Sequence, residues 1–440
     1  MSLDAETSKI DASPTKDFFI YMLTKDIDLI RAIADLADNS IDGARKIRGK
    51  DSDYAGLYIR IEAEKDYFKI FDNCGGIAVE EARDHAFRFG RDKGMKETPY
   101  SIGQFGVGMK RALFKIGNYF RIESMTNSSR FVVEQDVSLW ANDTEKWDFH
   151  FTELDENYKL PYDIESGTSI IVTQLHEFVS EEFQVENFKT RLTTELESAH
   201  RFSLNKGIAI TLNGIPLRFR PAEVLASQQL LPEYRELSLE GDLVKVKLIA
   251  GIGVSDPPSA GWHVFCNGRL ILEADKSRTT GWGDGNPQYH NQYARFRGYV
   301  FFDSDHAGLL PWTTTKSNVD ADSPIFRAVR LEMLYMMRPI IDFLNKLDIE
   351  RKPKEEGDPS PYDVVVDEAK PVGVTGLTTM QKFTVKMPER TSEPPNIPIG
   401  HIQYDKPQDQ IAAVKKCLKL KSNKEVGEKT FEYFMKMECE

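Results

Sequence analysis

Cysteine is scarce in this chain: four residues in 440, at Cys74, Cys266, Cys417 and Cys439, with no C-x-x-C pair among them. That spacing excludes a disulfide framework and a cysteine-rich zinc site, and makes a reducing interior the default. Long apolar runs are missing too. Nothing approaches the roughly 20 residues that a membrane helix needs, and Met1–Glu6 has no apolar signal region. A cytoplasmic protein without a membrane partner is therefore expected. Excess positive charge is also lacking: 57 Lys and Arg stand against 69 Asp and Glu, for a net charge of -12. Such a chain has no global pull toward nucleic acid or an anionic surface, although a local basic groove stays open. The eight histidines are dispersed, and no repeat recurs at a period of roughly 20–50 residues.

What remains is an ordinary globular composition, 40% hydrophobic and 29% charged, long enough for two to three domains. Residues 1–15 read as a polar leader. Residues 16–205 mix long helices with strands, including a helix over about 25–48 and another over about 79–89. Residues 206–348 form a second, α+β unit that opens with the strand Ile208–Leu212 and closes with a helix over about 324–347. Residues 349–395, rich in Pro, Glu, Lys and Ser, read as a linker, with Tyr362–Val366 as an edge strand docking from it. Residues 396–440 read as strand, helix, turn and helix.

The most informative stretch is Ile33–Ala44. Ile30, Ile33, Ala37, Ile41 and Ala44 recur at helical spacing and form an apolar stripe. Asp35, Asn39 and Asp42 fall at i, i+4 and i+7 and share the opposite face. A carboxamide one turn from a carboxylate suits a metal-bound phosphate: the amide oxygen ligates Mg2+ and the carboxylate polarises a water. The next motif, Asp72-Asn-Cys-Gly-Gly76, follows a strand end. A buried Asp there can accept a hydrogen bond from an exocyclic amine, and Gly75 and Gly76 allow backbone to approach a flat base. The third, Gly103-Gln-Phe-Gly106-Val107-Gly108-Met-Lys110, opens a helix whose amides and lysine could cradle an anion. It is neither a Walker loop nor part of a short dinucleotide βαβ unit. The fourth is Gly167-Thr168 at the entry to a strand. Each taken alone has an ordinary structural explanation: a solvated helix face, a turn, a glycine loop, a strand threonine.

In this order and spacing, the four motifs over residues 16 to about 200 resemble the GHKL superfamily of gyrase, heat-shock ATPase chaperones, histidine kinases and MutL. The resemblance implies a Bergerat α/β-sandwich within an α+β protein, and it implies ATP and Mg2+ as ligands. It implies Asn39 as the Mg2+ ligand and Asp72 as the adenine acceptor, supported by Thr168. Gly75, Gly76, Gly103, Gly106, Val107, Gly108 and Lys110 would complete the nucleotide contacts, with 91–103 as a lid. Asp35 stands where the family places a glutamate general base. Its carboxylate is one methylene shorter, which implies slow hydrolysis. Cys74 stands where the family pattern has its first glycine.

The strand pair around Asn267-Gly-Arg269 and the loop lysine Lys316 resemble the transducer domain of MutL, where such a lysine senses the γ-phosphate. A plain hairpin and a solvated lysine are the ordinary alternatives. The absence of a phospho-acceptor histidine hairpin argues against a histidine kinase, and the short chain after the ATPase unit argues against a chaperone. MutL-like and MORC-like ATPases fit best. The tail is similar to ribbon-helix-helix modules by pattern alone, and a helical hairpin docked on the protein body is the slightly preferred reading. The expected function is an ATP-gated, homodimerising clamp acting on DNA, in repair, chromosome maintenance or defence. The alternatives are a chaperone-like ATPase with a protein client and a non-hydrolysing ATP sensor.

Overall fold

A computed structural model describes residues 15–90, 98–103, 106–143, 146–351, 360–387 and 402–439. The chain forms two compact units, Met1–Pro388 and Glu389–Glu440.

The first unit begins with α1 (Lys16–Lys25), α2 (Leu29–Arg48), β1 (Tyr58–Ala63), β2 (Phe68–Asp72), α3 (Val79–Glu81), α4 (Gly108–Ile116), β3 (Gly117–Met125) and β4 (Arg130–Asp136). It continues with α5 (Val137–Asn142), β5 (Phe151–Asp155), β6 (Gly167–Leu175), α6 (Glu177–Glu182), α7 (Glu186–Ala199), α8 (Arg201–Asn205), β7 (Ala209–Leu212) and β8 (Ile215–Pro216). The eight strands make one sheet in the order β5-β4-β3-β6-β2-β1-β7-β8. All neighbours are antiparallel except β1 and β7. Period-two alternation buries Ile59, Ile61, Phe68, Ile70, Phe120, Ile122, Ile170 and Val172 under the helices. The stripe Ile33, Ala37, Ile41 and Ala44 of α2 is wholly buried. The result is the α/β sandwich expected from the sequence, within a mixed α+β architecture.

Two boundaries differ from expectation. Ile208–Leu212 does not open a new domain: as β7 it extends the first sheet in parallel with β1. The helix expected over 79–89 stops early, passing into a π-turn at Ala82–Ala86.

A second sheet follows, with β9 (Glu223–Ala226) and β10 (Leu230–Leu231) before it. It comprises β11 (Glu233–Leu239), β12 (Val244–Ile252), β13 (Gly261–Cys266), β14 (Arg269–Asp275) and β15 (Phe296–Asp303), in the order β11-β12-β15-β13-β14. The helix α9 (Pro324–Arg351) packs against β12. The stretch expected as a linker is largely structured where described. Ser360 caps α10 (Pro361–Glu368), whose Pro361 suits a first helical position. Tyr362–Val366 is thus helix rather than edge strand, and Val365 and Val366 are buried. Then β16 (Lys370–Gly373) pairs with β9, and β17 (Thr384–Val385) pairs with β10.

The second unit, taken by itself, holds α11 (Gln408–Leu418) and α12 (Asn423–Phe434), the latter opened by a Ser422–Glu425 capping box. Most of the strand expected over 397–404 lies outside the described residues, and 402–404 is not strand. No residue of either helix is buried, and Phe431 and Phe434 are exposed.

Candidate functional site

One cavity in the first unit collects the sequence motifs. Asp35, Asn39, Asp72, Gly76, Gly103, Gly106, Val107, Gly108, Lys110, Thr168 and Lys316 all line it. Gly75 does not. It takes φ +96° in the turn after Cys74, and a Cβ there would lie 2.7 Å from Ile47.

The base end is built by strand alternation. Asp72 lies on the same face of β2 as Phe68 and Ile70, so it points under α2 rather than to solvent. Ser40 of α2 donates to its Oδ2 at 2.7 Å, and the Cys74 amide donates to its Oδ1 at 2.8 Å. Burial raises the carboxyl above its ordinary range, and the Ser40, Cys74 and Thr168 hydrogen bonds offset that only in part. Thr168 stands opposite Asp72 on β6, and its hydroxyl is 3.0 Å from that of Ser124. Close backbone approach explains the glycines here. A Cβ on Gly167 would sit 1.9 Å from the Asp72 carbonyl oxygen, and one on Gly43 would sit 2.5 Å from that of Cys74. A buried carboxylate at a flat, glycine-walled slot fits an adenine ring with its exocyclic amine.

The phosphate end lies where α2 meets α4. Asn39 is exposed on α2, free of the packing that encloses its neighbours. Asp42 does not face solvent: it accepts from the backbone amides of Ile102 and Gly103, at 2.9 and 2.7 Å, and from the Ser101 hydroxyl at 2.9 Å. It therefore anchors the last residues of the expected lid, of which 91–97 lie outside the described residues. Lys110 departs from its expected role. Its ammonium turns inward to the carbonyls of Ala86, at 2.9 Å, Arg88 and Gly106, and burial lowers its pKa to about 7. It ties the start of α4 to the π-turn instead of facing the cavity with a free charge.

Asp35 is 2% exposed. Arg111 of α4 donates to its Oδ2 at 2.6 Å, and Lys316 donates to its Oδ1 at 3.1 Å. Lys316 also donates to Asp38 at 2.8 Å, and Arg269 donates to the other Asp38 oxygen at 2.9 Å. Burial alone would raise the Asp38 carboxyl, but Arg269 and Lys316 hold it far below the ordinary carboxylate range. Adjacent His200 is kept neutral by burial, with its pKa lowered to about 3. Lys316 itself adopts a left-handed backbone, φ 50°, an uncommon conformation for a side chain of this size that is found at positions held by their surroundings.

Two later segments thus meet this part of α2: the 313–316 loop lines the cavity, and the β13–β14 turn contacts its surroundings. Asn267 at that turn donates to the Ser101 carbonyl at 3.1 Å, and Arg45 of α2 donates to the Asn267 carbonyl at 2.5 Å. The sequence reading missed Ser40, Asp38 and Arg111. Asp38 was visible as a further acid one turn after Asp35. Ser40 and Arg111 carried no signal, because their partners are distant in the chain.

Residues 27–161 match the family described as histidine kinase-, DNA gyrase B-, and HSP90-like ATPase. No curated protein matches the chain. The matched segment holds Asp35, Asn39, Asp72 and the glycine loop, and it is a GHKL-type ATPase domain. ATP binding, with Mg2+ and hydrolysis, is the general property of that family. The donor set fits such a ligand: a buried acceptor at the base end, and amides, Asn39 and cations at the phosphate end. Among the described residues, no cluster of three or more His, Cys, Asp or Glu could hold a metal. No helix among the described residues is long and apolar enough to cross a membrane.

Proposed function

We propose that this protein is a slow Mg-ATP-hydrolysing clamp of MutL-like or MORC-like type, which dimerises with ATP bound and works on DNA. The observation that carries this reading is Lys316. A loop lysine 281 residues beyond Asp35 bridges Asp35 and Asp38 inside the candidate nucleotide cavity. A contact that differs between ligand states is what lets a ligand bias a domain arrangement.

Asp72, oriented by Ser40 and the Cys74 amide, accepts a hydrogen bond from the adenine amine, with Thr168 beside it. Gly76 keeps the ring slot open, and the Gly106–Gly108 amides meet the phosphates at the start of α4. Asn39 would hold Mg2+, which when bound would supply charge neutralisation at the phosphates. Asp35 orients and deprotonates the attacking water once its cations are drawn off. Its short side chain makes that step slow. Asp35→Ala should abolish turnover and leave nucleotide binding in place, as read by a phosphate-release assay beside calorimetry. Unchanged turnover in that variant removes Asp35 from the mechanism.

Molar mass in solution, with and without a non-hydrolysable ATP analogue, tests the gate. Doubling with the analogue is expected, and a constant monomer mass contradicts the clamp. Steeply salt-dependent DNA binding separates the clamp from a chaperone-like machine. The non-hydrolysing sensor reading has one observation in its favour: both oxygens of Asp35 are occupied by cations. Absence of any wild-type turnover, with binding intact, would establish it.

A further inference from the structure

Arg111 is the other cation on Asp35, and the family resemblance gave it no role. It stands on the first turn of α4, lines the cavity beside Gly108, Thr314 and Lys316, and its side chain is 5% exposed. One terminal nitrogen, Nη2, carries both of its contacts: 2.6 Å to Asp35 Oδ2 and 3.3 Å to the Thr314 carbonyl. Its Nε is buried without a hydrogen-bond partner among the described residues. A guanidinium offers five donors in a planar fork suited to bidentate contact with a phosphate. Here one prong is used and another is unused, at the helix start where amides already favour an anion. The neighbouring cation Lys110 is committed to three backbone carbonyls. Lys316 has Asp38 to hold when Asp35 leaves. The only carboxylate that Arg111 meets among the described residues is Asp35.

We propose that Arg111, alongside Lys316, is a residue by which this site distinguishes a nucleoside triphosphate from a diphosphate: its guanidinium takes the terminal phosphate and gives up Asp35, whose Oδ2 thereby becomes free to face water. The inference rests on the reading of the cavity as an ATP site. Asp35 and the γ-phosphate compete for one donor group. A diphosphate ends one phosphoryl unit short and leaves the Arg111–Asp35 pair in place. A charge-assisted, bidentate contact is strong enough to set the preference between the two nucleotides.

The test is calorimetry on the full chain with Mg2+, comparing a non-hydrolysable ATP analogue with ADP. The proteins are wild type, Arg111→Gln, Asp35→Asn and the double variant. Wild type should prefer the triphosphate. Arg111→Gln should weaken triphosphate binding about ten- to hundredfold and keep ADP affinity within about twofold. Asp35→Asn removes the competing charge without changing shape. It should strengthen triphosphate binding by about three- to tenfold, and the double variant should lose that gain. An Arg111→Gln protein with the wild-type ratio of affinities overturns the proposal, as does a wild type that binds both nucleotides equally, or a gain that persists in the double variant. If Arg111→Gln loses ADP binding as well, Asp35→Asn decides, and an unchanged ratio there overturns it. A wild type that binds neither nucleotide refutes the ATP reading itself, which is a different result from binding without discrimination.

Discussion

At the scale of single residues, the site sets stability against function. Burial raises the Asp72 carboxyl above its ordinary range, against the hydrogen bonds from Ser40, Cys74 and Thr168. A carboxyl whose folded-state pKa lies above its unfolded one favours folding when protonated, and that contribution is lost as pH rises through the folded value. Asp72→Asn should therefore leave the fold as stable or more stable at pH 7, as read by urea denaturation. The same change replaces one acceptor oxygen with an amide donor and should weaken ATP binding by about tenfold or more. Unaltered ATP affinity in Asp72→Asn would contradict the adenine assignment. The pair Asp35 and Asp38 shows why one helix face can carry two functions. Residues three apart on α2 differ by about 60° in direction, so Asp35 meets α4 and Asp38 meets β14, while Lys316 joins them.

At the scale of elements, the glycines mark where one backbone crosses another. Gly167 opens β6 directly beside the end of β2, where a Cβ would collide with the Asp72 carbonyl. Gly167→Ala should force β2 and β6 apart. The expected cost is about 1–3 kcal/mol in chemical denaturation, together with weakened nucleotide binding because Asp72 and Thr168 face each other at that point. Full stability with full affinity in this variant would show that the strands yield without moving the acceptor. The β13–β14 turn plays the complementary part. Asn267 reaches Ser101 in the 98–103 segment and accepts from Arg45 near the end of α2, and Arg269 reaches Asp38 in its middle, so one hairpin holds both the helix and the segment beside it. A buried pair of this kind stabilises only while both members remain, since removing one leaves an uncompensated charge.

At the scale of the whole molecule, the first unit joins two sheets through charges withdrawn from water. His200 and His263 are both buried, and desolvation lowers each pKa to about 3. A histidine depressed from 6.5 is neutral in the fold and charged when unfolded below that pH. Its contribution is present above about 6.5 and is lost as pH falls toward 3. The melting temperature should thus decline over that window, and replacing His200 by Gln should flatten the decline. A melting temperature independent of pH from 7 to about 4 would remove both residues from the account. The second unit has the opposite character. Its two helices bury none of their own residues, so helix capping and local turns hold it rather than a core of its own.

The amino-acid sequence by itself determined the elements that depend on local pattern. The apolar stripe of α2, the alternation of β1, β2 and β6, the glycine loop before α4 and the order of the four motifs follow from periods and turn chemistry. These point to the ATPase sandwich and to Asp35, Asn39 and Asp72 as its candidate site residues. Only the tertiary structure decided that Asp35 and Asp42 on the polar face of α2 are engaged by cations and backbone amides while Asn39 stays exposed. It also decided that Lys110 turns inward while Arg111 takes Asp35, that β7 belongs to the first sheet, and that 361–368 is a docked helix. Each of those outcomes depends on partners 20 to 280 positions away, and period and propensity carry no information over that range. The cost of leaving a buried charge unpaired is what selects among them.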